Sequence, residues 1–312
     1  MSGTMHAIAV AGGKLTLAEV APPAPARDEA VVRVAAISLN RGEVKRSASA
    51  ADGFRPGWDF AGTVEQPAAR GGPPAGARVV GILPSGAWAE RVAAPVQSLA
   101  VLPDAVSFEA ASCLPVAGLT ALHGLSQGGL LLGRRVLVTG ATGGVGHLAC
   151  RLAALAGAHV VGVVRDDAAA EAVRGYGAHE VAVIGDDPAR AAALGPFDVI
   201  LDSVGGASLT ASLGMLASKG VCVTFGVSDA VEAAINAQRF YTGGGLRLYG
   251  LALFHELATV EPASVGLARL LGFVADGRLA PEISVTRPWT EVATVAADLI
   301  ARRYRGKAVL TL

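Results

Sequence analysis

One stretch of the sequence carries the clearest chemistry: Val136-Leu-Val-Thr-Gly140-Ala-Thr-Gly143-Gly144-Val-Gly146-His-Leu-Ala-Cys150. An apolar, strand-like run enters a glycine turn, and a helix-like run leaves it. Gly143, Gly144 and Gly146 permit a tight turn, close backbone approach to a pyrophosphate and tight packing of a helix on a sheet. The helix opening there would aim free N–H groups at the anion. Ala141 fills the first glycine place of the dinucleotide-binding pattern. The reading therefore rests on context: a strand before the loop, a helix after it, and a second strand from Val160. Ala141, Thr142 and Val145 complete the expected cradle.

The end of that second strand bears on which dinucleotide fits. A free ribose 2′-OH calls for Asp or Glu about 20 residues after the loop. Val164 stands there, followed by Arg165. A missing acid beside a guanidinium suits the 2′-phosphate of NADPH. Asp166 and Asp167 come next and could instead pair with Arg165 or bind a ribose. Arg174 is a second candidate for the phosphate.

These residues need elements to hold them. From Met1 to about Pro103 the chain reads as short strands: a hairpin over Met1 to Val20, then Ala30 to Ile37, Phe60 to Glu65, Arg78 to Ile82 and Ala87 to Ala93. Gly/Pro loops separate them, a barrel-like all-β pattern. Ser107 then caps a helix running to Cys113. After that the pattern alternates. Strands over Arg135 to Thr139, Val160 to Val164, Val181 to Ile184, Asp198 to Ser203, Val221 to Phe225 and Arg247 to Ala252 are separated by helices over Val145 to Ala156, Ala168 to Arg174 and Leu209 to Leu216. Such alternation implies a doubly wound parallel sheet. Helices near Ala263 to Ala275 and Thr290 to Arg303, and a strand Lys307 to Leu312, complete the chain.

Composition narrows the function. The 312 residues carry 26 Lys+Arg against 26 Asp+Glu, so no net charge steers the chain to nucleic acid or an anionic membrane. Mean hydropathy is +0.48, yet no apolar run of about 18 residues passes without charged or Gly/Pro interruption. The N-terminus lacks the pattern of a secretory signal, and three cysteines cannot build a disulfide framework. A cytoplasmic protein with reduced thiols is expected.

Several motifs stand in one order: Leu39-Asn-Arg-Gly-Glu43, Gly57-Trp-Asp-Phe-Ala-Gly62, Leu114-Pro-Val-Ala-Gly-Leu-Thr-Ala121, the glycine loop, Leu201-Asp-Ser-Val-Gly-Gly206 and Gly306-Lys-Ala-Val-Leu310. The chain resembles the medium-chain dehydrogenase/reductase superfamily, in its zinc-independent quinone-oxidoreductase and enoyl-reductase-like branch. The resemblance covers essentially the whole chain. It implies a GroES-like β-barrel catalytic domain over 1–116 and 253–312, with a Rossmann NADP-binding domain over 117–252 and the cofactor lying between them. Zinc relatives place metal ligands where this chain has Asn40, Trp58 and Val116, none of which donates as Cys or His does. Cys113, Cys150 and Cys222 fall elsewhere, so no zinc is expected.

Without a Lewis-acid metal, an electron-poor C=C conjugated to a carbonyl is an easier target than an alcohol. The expectation is NADPH-dependent reduction of an enone or quinone. Alternatives are a tailoring dehydrogenase or enoyl reductase in a biosynthetic pathway, and an NADPH-binding sensor with little turnover. By the resemblance, Asn40 is the polar contact near the nicotinamide or substrate carbonyl, and Trp58 an apolar wall. Enoyl reductases of the branch can use a Tyr after the Asn motif, but residues 43–55 hold none, which leaves Tyr241 as a speculative proton donor. Asp59 reads as structural, paired with Arg41 or Arg55. Thr120 matches the position that touches the carboxamide. Sheet edges bring Ser203, Val204, Phe225, Gly226, Val227 and Leu251 to the cofactor, and Lys307 matches a position near it. The strand from Arg247 would be a bare edge, so a homodimer is expected.

Overall fold

The computed structural model describes residues 3–312. Met1 and Ser2, where the sequence reading begins its first hairpin, lie outside the described residues. The chain opens with β1 (Met5–Ala11) and β2 (Lys14–Val20), which turn on Gly12 and Gly13, both at positive φ. Then come β3 (Glu29–Ser38), α1 (Arg41–Ala48), β4 (Asp59–Gln66), β5 (Arg78–Ile82), β6 (Arg91–Pro95), β7 (Leu99–Val101), α2 (Phe108–Ser112) and α3 (Pro115–Ser126). The alternating part holds β8 (Arg135–Val138), α4 (Gly146–Leu155), β9 (His159–Val164), α5 (Ala170–Gly175), β10 (Glu180–Val183), β11 (Phe197–Asp202), α6 (Gly206–Gly214), β12 (Leu216–Thr224), α7 (Ala237–Thr242), β13 (Arg247–Gly250) and α8 (Leu253–Thr259). The chain closes with α9 (Ala263–Ala275), β14 (Ile283–Pro288), α10 (Val292–Ile300) and β15 (Lys307–Thr311).

Two compact units result: Met1–Leu119 with Leu257–Leu312, and Thr120–Glu256. Both divisions fall inside helices, α3 and α8, a few residues beyond those the resemblance implied. In the first unit the strand order is β14-β15-β3-β4-β5-β7, with β6 also on β3. All these pairs are antiparallel except β14 with β15. Its core includes Ile8, Val32, Ile37, Phe60, Val79, Trp88 and Leu310. The register aligns Ser38 with Asp59 on one side and with Val309 on the other. The end of β3 therefore lies between the starts of β4 and β15. That crossing brings Asn40, Asp59 and Lys307 to one place from distant parts of the sequence.

The second unit is a six-stranded parallel sheet in the order β10-β9-β8-β11-β12-β13. The order reverses between β8 and β11, and the crevice at the carboxyl ends of such a pair is where this architecture binds nucleotides. Val136, Leu137 and Val138 of β8 are wholly buried, as a central parallel strand requires.

Several elements escaped the sequence reading, among them α1, α7, α8, β7 and β14. The segment after the Asn motif read as loop, but α1 spans Arg41–Ala48, its start fixed by Glu43 reaching back to the Asn40 N–H. β7 and β14 are short or largely exposed and lack a clean alternation. The strand read over Ala87 to Ala93 forms later, as β6, with Ala89 making only a bridge to Ala7. Among the described residues no single helix is long and apolar enough to cross a membrane.

Candidate active site

In the second unit, the loop after β8 is built as an anion cradle. Gly140 adopts φ +58°, and the Gly143 N–H donates to its carbonyl at 2.9 Å. A Cβ on Gly146 would lie 2.2 Å from the Gly140 oxygen, so no side chain fits where α4 meets the loop. Among the described residues, the N–H groups of Gly144, Val145 and Gly146 find no acceptor in the chain. Unpaired N–H groups at a helix start favour a phosphate. Ala141 is buried beneath the turn, with Thr142 half-buried beside it. These residues fit the pyrophosphate of a dinucleotide.

Asp202, at the end of β11, holds the neighbouring loop. Its carboxylate is fully buried and accepts from Thr139 Oγ1 (3.0 Å), Ser208 Oγ (2.8 Å), Val204 N (3.1 Å) and Gly205 N (2.8 Å). Ser203 N in turn donates to Thr139 Oγ1 at 3.2 Å. The loop bearing Ser203 and Val204 is thus pinned to the strand that feeds the glycine turn. The sequence reading quoted Asp202 within a motif but gave it no role; a lone acid ending an apolar strand was the available signal.

The other expected cofactor contacts fall at strand ends of the same unit. Phe225 and Gly226 are half-buried and Val227 exposed just beyond β12, while Leu251 is buried just beyond β13. The Phe225 N–H donates to Asp202 O and that of Leu251 to Thr224 O, which fixes both loops. Thr120 is buried in α3. Arg165 is exposed immediately after β9, and among the described residues neither Asp166 nor Asp167 pairs with it. Arg165 therefore keeps its fork for an incoming anion.

The first unit contains a buried polar cluster. Lys307 Nζ donates to Asn40 Oδ1 (2.6 Å), Leu39 O (3.1 Å) and Asp59 Oδ2 (3.4 Å), with the lysine side chain 1% and the aspartate 0% exposed. Asn40 Nδ2 donates to Asp59 Oδ2 (2.7 Å) and to Glu43 Oε1 (2.9 Å). Glu43 Oε2 accepts the Trp58 N–H at 2.7 Å, and Asp59 Oδ1 accepts that of Val116 at 2.9 Å. Burial, together with the nearby Asp59 charge, pushes the Glu43 carboxyl up to about 8.

This network revises three sequence expectations. Lys307 does not reach for a cofactor: an ammonium has three protons, and all three have acceptors inside the unit. Asn40 is no free donor to a substrate carbonyl, because both its N–H groups are taken. Asp59 pairs with Lys307 rather than with Arg41, which bonds the carbonyls of Leu299 and Ile300, or with Arg55. Apart from the network, Tyr241, the speculative proton donor, sits on the short helix α7 and is 77% exposed. Trp58 is half-buried, its indole N–H donating to Pro84 O at 3.0 Å.

By the resemblance the zinc-ligand positions fall at Asn40, Trp58 and Val116, and this one network joins all three. Cys113, Cys150 and Cys222 are buried and unpaired by disulfides. Burial pushes the thiols of Cys113 and Cys150 up to about 12 and raises that of Cys222 as well. Among the described residues no group of His, Cys, Asp and Glu is arranged to hold a metal ion.

Residues 144–265 match the family described as zinc-binding dehydrogenase, a span that excludes all three zinc positions. The quinone oxidoreductase of Pseudomonas aeruginosa is 29% identical over 233 residues, covering 73% of this chain and 72% of that one. The spectinabilin polyketide synthase system protein NorB of Streptomyces orinoci is 34% identical over 301 residues, 94% of this chain and 13% of that one. The chain spans between 10% and 14% of the first polyketide synthases it matches. A solved mycobacterial protein complexed with NADPH is 28% identical with a TM-score of 0.88, covering 99% of this chain and all of that one. Sheet order, glycine cradle and these likenesses agree, and the chain belongs to the medium-chain dehydrogenase/reductase superfamily of NAD(P)-dependent oxidoreductases, in its quinone-oxidoreductase and enoyl-reductase-like branch.

Proposed function

We propose that this chain is a zinc-independent, NADPH-dependent reductase of an activated C=C or a quinone. The observation that carries this reading is the cluster in the first unit. At the three zinc positions the chain offers an amide already bonded on both its donors, an indole and an aliphatic side chain. Such groups do not bind zinc as Cys and His do. A conjugated acceptor tolerates that loss, since its carbonyl oxygen needs only hydrogen-bond donors as charge arrives. NADPH, when bound, supplies the hydride.

The chain's own residues bind and orient. The N–H groups of Gly144, Val145 and Gly146 take the pyrophosphate. Asp202 keeps the loop of Ser203 and Val204 rigid beneath the nucleotide, with Phe225, Gly226, Val227 and Leu251 completing the contacts and Thr120 meeting the carboxamide. Arg165 meets the 2′-phosphate. The mycobacterial relative complexed with NADPH supports that choice of cofactor. Asn40, held by Lys307, keeps its loop in one conformation, and Trp58 offers an apolar face to the substrate.

A second reading is a tailoring enoyl reductase acting on a biosynthetic intermediate, favoured by the match to NorB over 94% of this chain. Steady-state NADPH oxidation with a panel of quinones, enones and enoyl thioesters separates the two. Turnover confined to enoyl thioesters favours the second, and tight NADPH binding without any turnover contradicts both. The buried thiols suit a cytoplasmic protein. We also propose a homodimer through β13, an edge strand whose one neighbour is β12. Light scattering that returns a monomer mass overturns it.

A further inference from the structure

Outside the nucleotide-binding residues, the first unit holds a cleft of about 300 Å³ whose lining includes Arg55, Leu83, Ser85, Gly86, Arg91 and Val92. Its walls are rigidly built. Leu83 N donates to Trp58 O, Gly86 N to Pro56 O and Ala87 N to Gly57 O, so segments 56–58 and 83–87 are zipped together. A Cβ on Gly57 would lie 2.4 Å from Trp88 N, which keeps the two segments in direct contact.

The two guanidinium groups of the cleft differ. Arg91 is spent: its Nε and Nη2 both donate to Glu65, at 2.6 and 3.3 Å. Arg55 has no hydrogen bond or ion pair among the described residues, and its Nε is buried without an acceptor. That Nε is sealed from solvent, so only the other guanidinium nitrogens can meet a ligand, and the group stays charged at neutral pH. No acidic side chain lines the cleft. Ser85 contributes a hydroxyl with no partner among the described residues, and Leu83 and Val92 supply apolar wall.

We propose that this cleft is a binding subsite for a carboxylate carried on a short apolar stem, with Arg55 gripping the carboxylate and Leu83 and Val92 packing the stem. A planar carboxylate matches the guanidinium fork in two parallel bonds, and the volume suits a small organic acid rather than a macromolecule. The subsite stands apart from the assignment of NADPH and of the reducible substrate, so its test does not read turnover.

The test titrates butyrate, butyramide and inorganic phosphate into the full chain and follows backbone amide shifts by NMR, for wild type and Arg55→Gln. Butyrate is expected to bind with a Kd of about 10 mM, as suits so small a ligand. Its largest shifts should fall at Ser85, Gly86 and Val92. Butyramide and phosphate should bind at least about tenfold more weakly, and Arg55→Gln should reduce butyrate to the butyramide level. No butyrate binding, shifts centred elsewhere in the wild type, phosphate binding as tight as butyrate, or an unchanged affinity in Arg55→Gln would each overturn the proposal. The wild-type shift map decides the question even if the variant folds poorly.

Discussion

Lys307 Nζ lies 2.6 Å from Asn40 Oδ1, although the two residues are 267 positions apart in sequence. The bond exists because β3 ends between the starts of β4 and β15. It makes Lys307 a positioning residue for the segment that opens α1. Lys307→Met keeps the length of the side chain but strands the buried Asp59 carboxylate. The expected loss of stability is about 3–5 kcal/mol, read by urea unfolding. Adding Asp59→Asn should recover part of it. Equal stability of wild type and Lys307→Met would show that the buried pair is not holding the unit together.

Glu43 gives the cluster a pH dependence with a definite sign. Its carboxyl moves from an ordinary 4.5 up to about 8 in the folded chain. The folded state therefore holds a proton that the unfolded chain has released. The associated stability is fully present below about 4.5 and is lost as pH rises through about 8. Unfolding wild type and Glu43→Gln between about pH 5 and about pH 9 isolates the effect. The wild-type advantage over the variant should shrink as pH rises; an advantage that grows would reverse the assignment.

Arg165 should govern the choice between the two nicotinamide dinucleotides. Arg165→Ala is expected to weaken NADPH binding about ten- to a hundredfold while leaving NADH unchanged. Fluorescence titration with both cofactors measures it. An unaltered NADPH to NADH ratio would pass the role to Arg174, whose exposed guanidinium also has no partner among the described residues.

The glycine cradle leaves no room for a methyl group at Gly146, where a Cβ meets the Gly140 oxygen at 2.2 Å. Gly146→Ala should abolish measurable dinucleotide binding. Asp202→Ala should weaken it through the loosened Ser203 loop, because four donors lose their acceptor. Calorimetric titration of either variant with wild-type affinity would remove that residue from the site.

Local signals carried much of this. The glycine loop is a contiguous pattern whose strand and helix neighbours also read correctly, so the parallel sheet and its cradle were legible. The hairpin on Gly12 and Gly13 was equally plain. What escaped depends on pairing across long separations. Nothing near Lys307 announces a bond to Asn40, and its family position points to the cofactor instead. Its burial follows only from the register of β15 on β3. Likewise α1 has few apolar residues, so periodicity missed it, although Glu43 three places after Asn40 is a capping signature. Arg55 read as a possible partner of Asp59 until the structure gave that place to Lys307.

The proposed metal-free hydride delivery to a conjugated acceptor can be followed by isotopic labelling. NADPH deuterated at the nicotinamide C4 is given to the enzyme with an enone, before and after exhaustive chelation, and the product is analysed by NMR. The account predicts deuterium at the β-carbon of the saturated ketone, at the same rate in both preparations. Label at the carbonyl carbon, or a rate that collapses on chelation and returns with zinc, would contradict it.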